Sequence, residues 1–253
     1  MDFKVDLDGR IAVVTGAAGA IGRAVALLLA RSGATVVISD SYQNAAALSS
    51  LAGEIDGLAG RVLAATADVS SRGDIDELLG DILNEFGSVD ILVNAAGVYI
   101  AGAIAAFAEQ DWDNSMELNL KTAFLTCQVF SKVMCEQGQG CIINIASDSA
   151  IGVVAGEGPY ACSQSALITF TRHLASELGP HNVRANAIAP GWVKTEDTQI
   201  IWSDIARRKE AEASIPLGFM AEPGDIASVV LFLATRASRY ITGQVIVANG
   251  GKL

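Results

Sequence analysis

Basic residues are scarce in this chain. Lysine and arginine number 17 against 28 aspartates and glutamates, a net charge of -11 over 253 residues. Nucleic acids and anionic membranes both recruit proteins through positive charge, so the balance speaks against either as a partner. Histidine is nearly missing, with only His173 and His181. The cysteines, Cys127, Cys135, Cys141 and Cys162, show no paired short spacing. No zinc constellation can be assembled from these, so no metal is expected, and buried free thiols in a reducing cytosol are the simplest reading. The opening stretch, MDFKVDLDGR, has no apolar signal-peptide core, which makes a cytoplasmic location the expectation. No uninterrupted apolar run reaches membrane length. The nearest approach, Ile91 to Ala108, is broken by Asn94, Gly97 and Gly102 and reads as a buried strand, a turn and a helix start. No linker, low-complexity tract or short repeat divides the chain.

What remains is a chain rich in core. Hydrophobic residues make up 51% and charged residues 18%. Apolar runs of strand length alternate with helix-length segments. IAVVT (11–15) precedes a helical stretch whose Ile21, Val25, Leu28 and Leu29 share a face. TVVIS (35–39), RVLAATADV (61–69), VDILVNAAG (89–97), CIINIAS (141–147), NVRANAIAPG (182–191) and QVIVANGG (244–251) repeat the theme. Strands this continuously apolar belong in a parallel sheet covered on both faces. The pattern predicts a single doubly wound, Rossmann-type α/β domain over 1–253, with a parallel sheet of about seven strands and helices on both faces. Residues 193–220 are the least strand-like and read as an inserted substrate lid.

TGAAGAIG, Thr15 to Gly22, lies between the first strand and the first helix. Its small residues let the backbone approach a ligand, and the helix N-terminus offers amides and a positive dipole to a pyrophosphate. Asp40 ends the second strand in VVISDS. A carboxylate there accepts hydrogen bonds from both adenosine ribose hydroxyls and repels the extra phosphate of NADP. No lysine or arginine occupies 17–20 or 41–44. NAD is therefore favoured.

These residues carry a likeness. The chain resembles the classical short-chain dehydrogenase/reductases over almost its full length. Thr15, Gly16, Ala20 and Gly22 match that family's glycine motif, and Asp68 in ADV matches its adenine-contacting aspartate. NAAG, Asn94 to Gly97, matches its Asn-Asn-Ala-Gly motif with alanine at the second place. Asn119 in ELNLKTAF matches its helix asparagine, and Ser147 stands thirteen residues before Tyr160, as its catalytic pair does. Pro190-Gly191 matches its Pro-Gly motif, and Thr195 its contact to the nicotinamide amide. The resemblance implies catalytic roles for Asn119, Ser147, Tyr160 and position 164. It implies cofactor contacts from Gly16, Ala18, Ala20, Ile21, Gly22, Asp40, Asp68, Val69, Asn94, Ala95, Gly97, Tyr160, Gln164, Pro190, Gly191, Val193 and Thr195. It also implies pairing of the helical segments 109–137 and 158–178 in a homodimer or homotetramer.

One departure stands out. Where the family has Tyr-x-x-x-Lys, this chain reads YACSQ, with Gln164 in the lysine's place. Asn249, where an aspartate is common, is a minor second departure. By resemblance Tyr160 exchanges a proton with the substrate oxygen, Ser147 holds that oxygen, and Asn119 holds a relay water. A tyrosine titrates near ~10. A lysine one helical turn along, at ~4 Å and an effective dielectric of ~20, favours tyrosinate by up to ~4 kcal/mol. Glutamine can still reach ribose hydroxyls, but it brings no charge. Three readings of Gln164 stay open. It marks an enzyme with slower chemistry or another helping group, Asp148 being a candidate. It marks a catalytically inactive NAD-binding protein, a sensor or scaffold. Or it is an introduced weakening change. The retained Ser147–Tyr160 pair favours an NAD-dependent oxidoreductase acting on a secondary alcohol/ketone pair. Asp148, Ser149, Val153, Val154, Glu157 and Trp192 are candidates for the substrate pocket. Glu196 and Asp197 in the lid hint at a polyol or cation. Arg207, Arg208 and Lys209 hint at an anion but read as solvated.

Overall fold

The computed structural model describes residues 6–58 and 60–252. The first five residues of the opening decapeptide, on which the reading of the N-terminus partly rests, lie outside the described residues. The seven apolar runs form β1 (Ile11–Thr15), β2 (Thr35–Asp40), β3 (Val62–Thr66), β4 (Ile91–Asn94), β5 (Gly140–Ile145), β6 (Val183–Pro190) and β7 (Val245–Ala248). They build one sheet in the order β3-β2-β1-β4-β5-β6-β7, every pair parallel. Between them run α1 (Ala20–Arg31), α2 (Ala45–Asp56), α3 (Arg72–Phe86), α4 (Glu109–Met116), α5 (Thr122–Gln137) and α6 (Gly158–Leu178). Two short helices, α7 (Gln199–Trp202) and α8 (Ile205–Ala213), precede α9 (Pro223–Ala234).

Neighbouring strand residues point to opposite faces, and here both faces are covered. Val14, Ile38 and Val93 pack with Val25 and Leu29 of α1, Leu51 of α2 and Val230 of α9. Val13, Val37 and Leu92 pack on the other side with Ile82 of α3 and with Phe130 and Met134 of α5. That double covering is why the strands read as unbroken apolar runs. From β1 the order runs outward through β2 and β3; from β4 it runs the other way. The β1/β4 seam is thus the topological switch point, and a crevice opens at the carboxyl ends of the strands beside it.

A polar seam is buried beneath that crevice. Asn94 and Asn144 are register partners across β4 and β5, and Asn94 Nδ2 donates to Asn144 Oδ1 at 2.8 Å. Thr126 of α5 donates to Asn94 Oδ1, and Asn144 Nδ2 donates to Thr171 of α6, each at 2.8 Å. The sheet is thereby tied to both helices that frame the site.

Three details differ from the sequence reading. The helix expected over 109–137 is interrupted by a wider π turn, Glu117–Lys121, with Asn119 at its centre. After β4 the chain runs irregularly to a single 3-10 turn at Ile104–Ala106, and the helix begins only at Glu109. Of the cysteines, only Cys127 and Cys141 are buried; Cys162 is exposed, because it lies two residues from Tyr160 and so faces away from the site. Among the described residues no helix is long and apolar enough to cross a membrane, and no three metal-binding side chains cluster.

The seam generates a prediction. Asn144→Leu removes one bond from the Asn94 amide, which keeps only the weak Cys127 Sγ acceptor, and one from the Thr171 hydroxyl, which keeps the Leu167 carbonyl, at about 1–3 kcal/mol for each bond lost at a buried group. Urea unfolding should therefore show a loss of about 2–4 kcal/mol.

Candidate active site

The turn after β1 is a cradle that a side chain would fill. Gly16 sits at φ +64°, and a Cβ there would lie 2.5 Å from the Ala96 nitrogen. A Cβ on Gly22 would lie 2.1 Å from the Gly16 carbonyl oxygen. Glycine is thus required at both ends of the turn for backbone to pack on backbone. The following helix, α1, has Gly19 as its N-cap, with no side-chain cap and no acidic residue in its first turn. Its amides and dipole are left to an anion. The turn is clamped to the end of β2, where the Ala18 N–H donates to Asp40 Oδ2 at 2.9 Å and Asn44 Nδ2 donates to Asp40 Oδ1 at 2.7 Å. A cavity of about 310 Å³ opens here, lined by Gly16, Asp40, Asp68, Val69, Ala95 and Gly97 among others, with no lysine or arginine in its described lining.

A second cavity, of about 240 Å³, lies at the ends of β5 and β6. It brings together Ile21, Ser147, Asp148, Ser149, Glu157, Tyr160, Pro190, Gly191, Trp192, Val193 and Thr195, all singled out from sequence. Val153 and Val154 line an adjoining cavity with Asp148 and Ser149. Ser147 leaves the end of β5, and Tyr160 enters on the first turn of α6, within hydrogen-bonding reach of it. Burial pushes the Tyr160 phenol up to about 12. The Ser147 hydroxyl pulls it down, while the negative charges of Glu157, Asp197 and Asp148 push it further up. Among the described residues no cation eases the ionisation of this phenol in the way the family's lysine would.

Gln164 lies one turn along α6 from Tyr160, as the spacing requires, and is buried. Its Oε1 has no hydrogen-bond partner among the described residues. A buried acceptor left open costs about 1–3 kcal/mol, and a ligand hydroxyl would satisfy it. Together the open acceptor, the glycine cradle and the uncapped helix fit a nicotinamide dinucleotide.

Other predicted residues serve the site from outside the two cavities. The Asn94 side chain belongs to the seam below. Asn119 accepts the Val98 N–H at 2.7 Å and donates to Ser163 at 3.1 Å, joining the loop after β4 to α6. Gly97 makes room for this, since a Cβ on it would lie 2.8 Å from Asn119 Oδ1. Asp148, a candidate helper for Tyr160, is occupied: Lys252 Nζ lies 3.2 Å from its Oδ2 and Asn249 donates to the same oxygen. Its Oδ2 is thus already engaged by Lys252 and Asn249. Arg207, Arg208 and Lys209 do not line the cavity, whereas Asp197 does. Sequence reasoning missed Lys252 and Tyr99. Lys252 also stands 5.1 Å over the Trp192 ring, and Tyr99 packs edge-on against Tyr160 at 5.0 Å between ring centres.

Comparison with known proteins agrees with this geometry. A family model described as enoyl-(acyl carrier protein) reductase matches residues 16–252. The chain belongs to the short-chain dehydrogenase/reductase family. It is 38% identical over 246 residues to a 3-oxoacyl-(acyl-carrier-protein) reductase, FabG, of Thermotoga maritima, covering 97% of this chain and 98% of that one. D-threitol dehydrogenase of Mycolicibacterium smegmatis is 36% identical over 251 residues, 99% of this chain and 95% of the relative. Among solved structures, a 7α-hydroxysteroid dehydrogenase complexed with NADH and 7-oxo glycochenodeoxycholic acid superposes with a TM-score of 0.93 at 32% identity. That match covers 98% of this chain and 96% of the other. Short-chain dehydrogenase/reductases are oxidoreductases with a nicotinamide cofactor, and the cradle and cavity stand where the fold places such a site.

The raised phenol has a sign. The folded protein holds Tyr160 protonated beyond the ordinary value of 10.0, so the stability this contributes is present below that pH and lost as pH climbs toward about 12. Near-ultraviolet titration of the wild type minus Tyr160→Phe should show one tyrosinate forming near 12 rather than near 10.

Proposed function

We propose that the chain is an NAD(H)-dependent oxidoreductase that interconverts a secondary alcohol and a ketone, with turnover slowed by Gln164. The observation that carries the reading is the meeting of Ser147 and Tyr160 in one cavity with Gly191 and Thr195. Asp40 would hold the adenosine ribose, Asp68 and Val69 the adenine edge, the Gly16–Gly22 turn the pyrophosphate, and Thr195 the nicotinamide amide. Gln164 Oε1 would accept a ribose hydroxyl. Bound there, the cofactor supplies or accepts hydride. Tyr160 moves the proton at the substrate oxygen, Ser147 positions that oxygen, and Asn119 holds a water near α6.

The cavity is acidic. With Asp148 paired to Lys252, Glu157 and Asp197 leave an excess of negative charge that disfavours anionic substrates. Abundant carboxylate and hydroxyl acceptors suit an uncharged polyhydroxy alcohol, in keeping with the likeness to D-threitol dehydrogenase. Residues 193–220 act as the lid. Phe124 and Phe170, in edge contact at 5.9 Å, flank an apolar hollow between α5 and α6 that suits a second subunit, giving a homodimer or homotetramer.

A second reading rests on the uncompensated phenol: a catalytically silent NAD-binding protein. Gln164→Lys separates the two. A cation near ~4 Å is worth up to ~4 kcal/mol, so alcohol oxidation at neutral pH should rise roughly 10- to 100-fold, and Tyr160→Phe should abolish it. NADH binding without turnover by either form, across a polyol and ketone panel, establishes the silent protein instead. Fluorescence titration should show NADH bound roughly tenfold or more tighter than NADPH, with Asp40→Ser narrowing the gap.

A further inference from the structure

Of the cavity's carboxylates, one is both buried and without an ion pair among the described residues. Glu157 is buried, sits at the N-cap of α6, and has no cation partner among the described residues. Two hydroxyls hold it instead: Ser149 Oγ donates to Oε2 at 2.6 Å and Tyr99 Oη donates to Oε1 at 2.9 Å. Ser147 Oγ in turn donates to Ser149 Oγ at 3.1 Å. A carboxylate only accepts, so it polarises the line in one direction, with the Ser149 proton toward Glu157 and the Ser147 proton toward Ser149. A lone pair of Ser147 is then left for the Tyr160 hydroxyl beside it.

We infer that Glu157 is the terminal proton acceptor of a hydroxyl relay running from Tyr160 through Ser147 and Ser149, in a site with no cation beside the phenol among the described residues. The inference rests on the proposed oxidoreductase reading. In alcohol oxidation the substrate hydroxyl proton passes to the Tyr160 oxygen as the phenolic proton passes to Ser147. The Ser147 proton moves to Ser149, and the Ser149 proton to Glu157 Oε2. The hydride leaves the carbinol carbon with its electron pair for an oxidised nicotinamide dinucleotide. The alcohol becomes a ketone and the carboxylate a carboxylic acid, which returns its proton to solvent. Reduction runs the same line backward. Glu157 acts through the two serines and is a positioning and relay residue; Tyr160 remains the group that meets the substrate. The other charged and titratable groups facing this line are Tyr99, Asp148, Asp197 and Lys252.

Two variants of the full chain test the relay. Glu157→Gln removes charge and acceptor; Ser149→Ala cuts the line and leaves the charge. Without cofactor, near-ultraviolet titration against Tyr160→Phe should show the Tyr160 midpoint fall in Glu157→Gln, because a repelling charge is gone. Oxidation kcat should nevertheless fall roughly 10- to 100-fold in both variants. Glu157→Ala should regain rate with added formate in proportion to its concentration. If the midpoint falls and kcat holds or rises, Glu157 acts by charge alone and the relay is wrong. A raised KM at unchanged kcat makes it a substrate contact and equally ends the proposal. An unmoved midpoint uncouples Glu157 from the phenol and does the same. Should Glu157→Gln not fold, Ser149→Ala decides by kcat alone. A native chain without turnover overturns the oxidoreductase reading and the relay together; native turnover left intact by Ser149→Ala overturns the relay only.

Discussion

Two side-chain amides hydrogen-bonded across adjacent strands set the geometry of everything above them. Asn94 and Asn144 face each other at matching register, and a threonine from each flanking helix closes the set. In so dry a place an unmet donor is expensive, so the four groups hold together or fail together. The depth and rotation of α6 against β5 follow from that. With them follows the approach of Tyr160, carried by α6, to Ser147, carried by the end of β5.

Given that scaffold, the electrostatics of the cavity become legible as a separation of two duties. A lysine after the tyrosine would both bind a sugar hydroxyl and ease the phenol's ionisation. Gln164 keeps only the first capacity, visible as its open Oε1. The one basic group in the cavity's described lining, Lys252, is spent on Asp148 and the face of Trp192. The phenol is left among carboxylates, and its ionisation is resisted by burial and by charge alike.

The sheet was readable in the sequence because covering both faces forces apolar residues at every strand position, a signal that needs no partner to interpret. The glycine turn and Asp40 were readable for the same reason: their constraints are local. Position 164 followed from the resemblance to the family's Tyr-x-x-x-Lys motif, and helical periodicity put it on the Tyr160 face. What escaped depends on distant contacts. The π turn at Glu117–Lys121 leaves no compositional mark. The side-chain partner of Asn94 lies on β5, fifty residues on, and no local pattern points to it. The Asp148–Lys252 pair spans 104 residues, and nothing in GKL announces it. Tyr99 lies in a stretch without periodicity, so no face could be assigned to it.

The segment after β6 has its own small core, in which Ala211, Ile215 and Met220 pack with Trp192, Ile201 and Trp202. Its two ends are clasped where Val193 bridges Ala221 and the Ala221 N–H donates to the Trp192 carbonyl. A piece internally packed and pinned at its root is a detachable module. Its surface can be rewritten by exchange of exposed residues such as Ile200 and Ile205 without disturbing the sheet that sets the chemistry. On the proposed lid role, substrate selection and proton chemistry rest on separately packed parts of one chain.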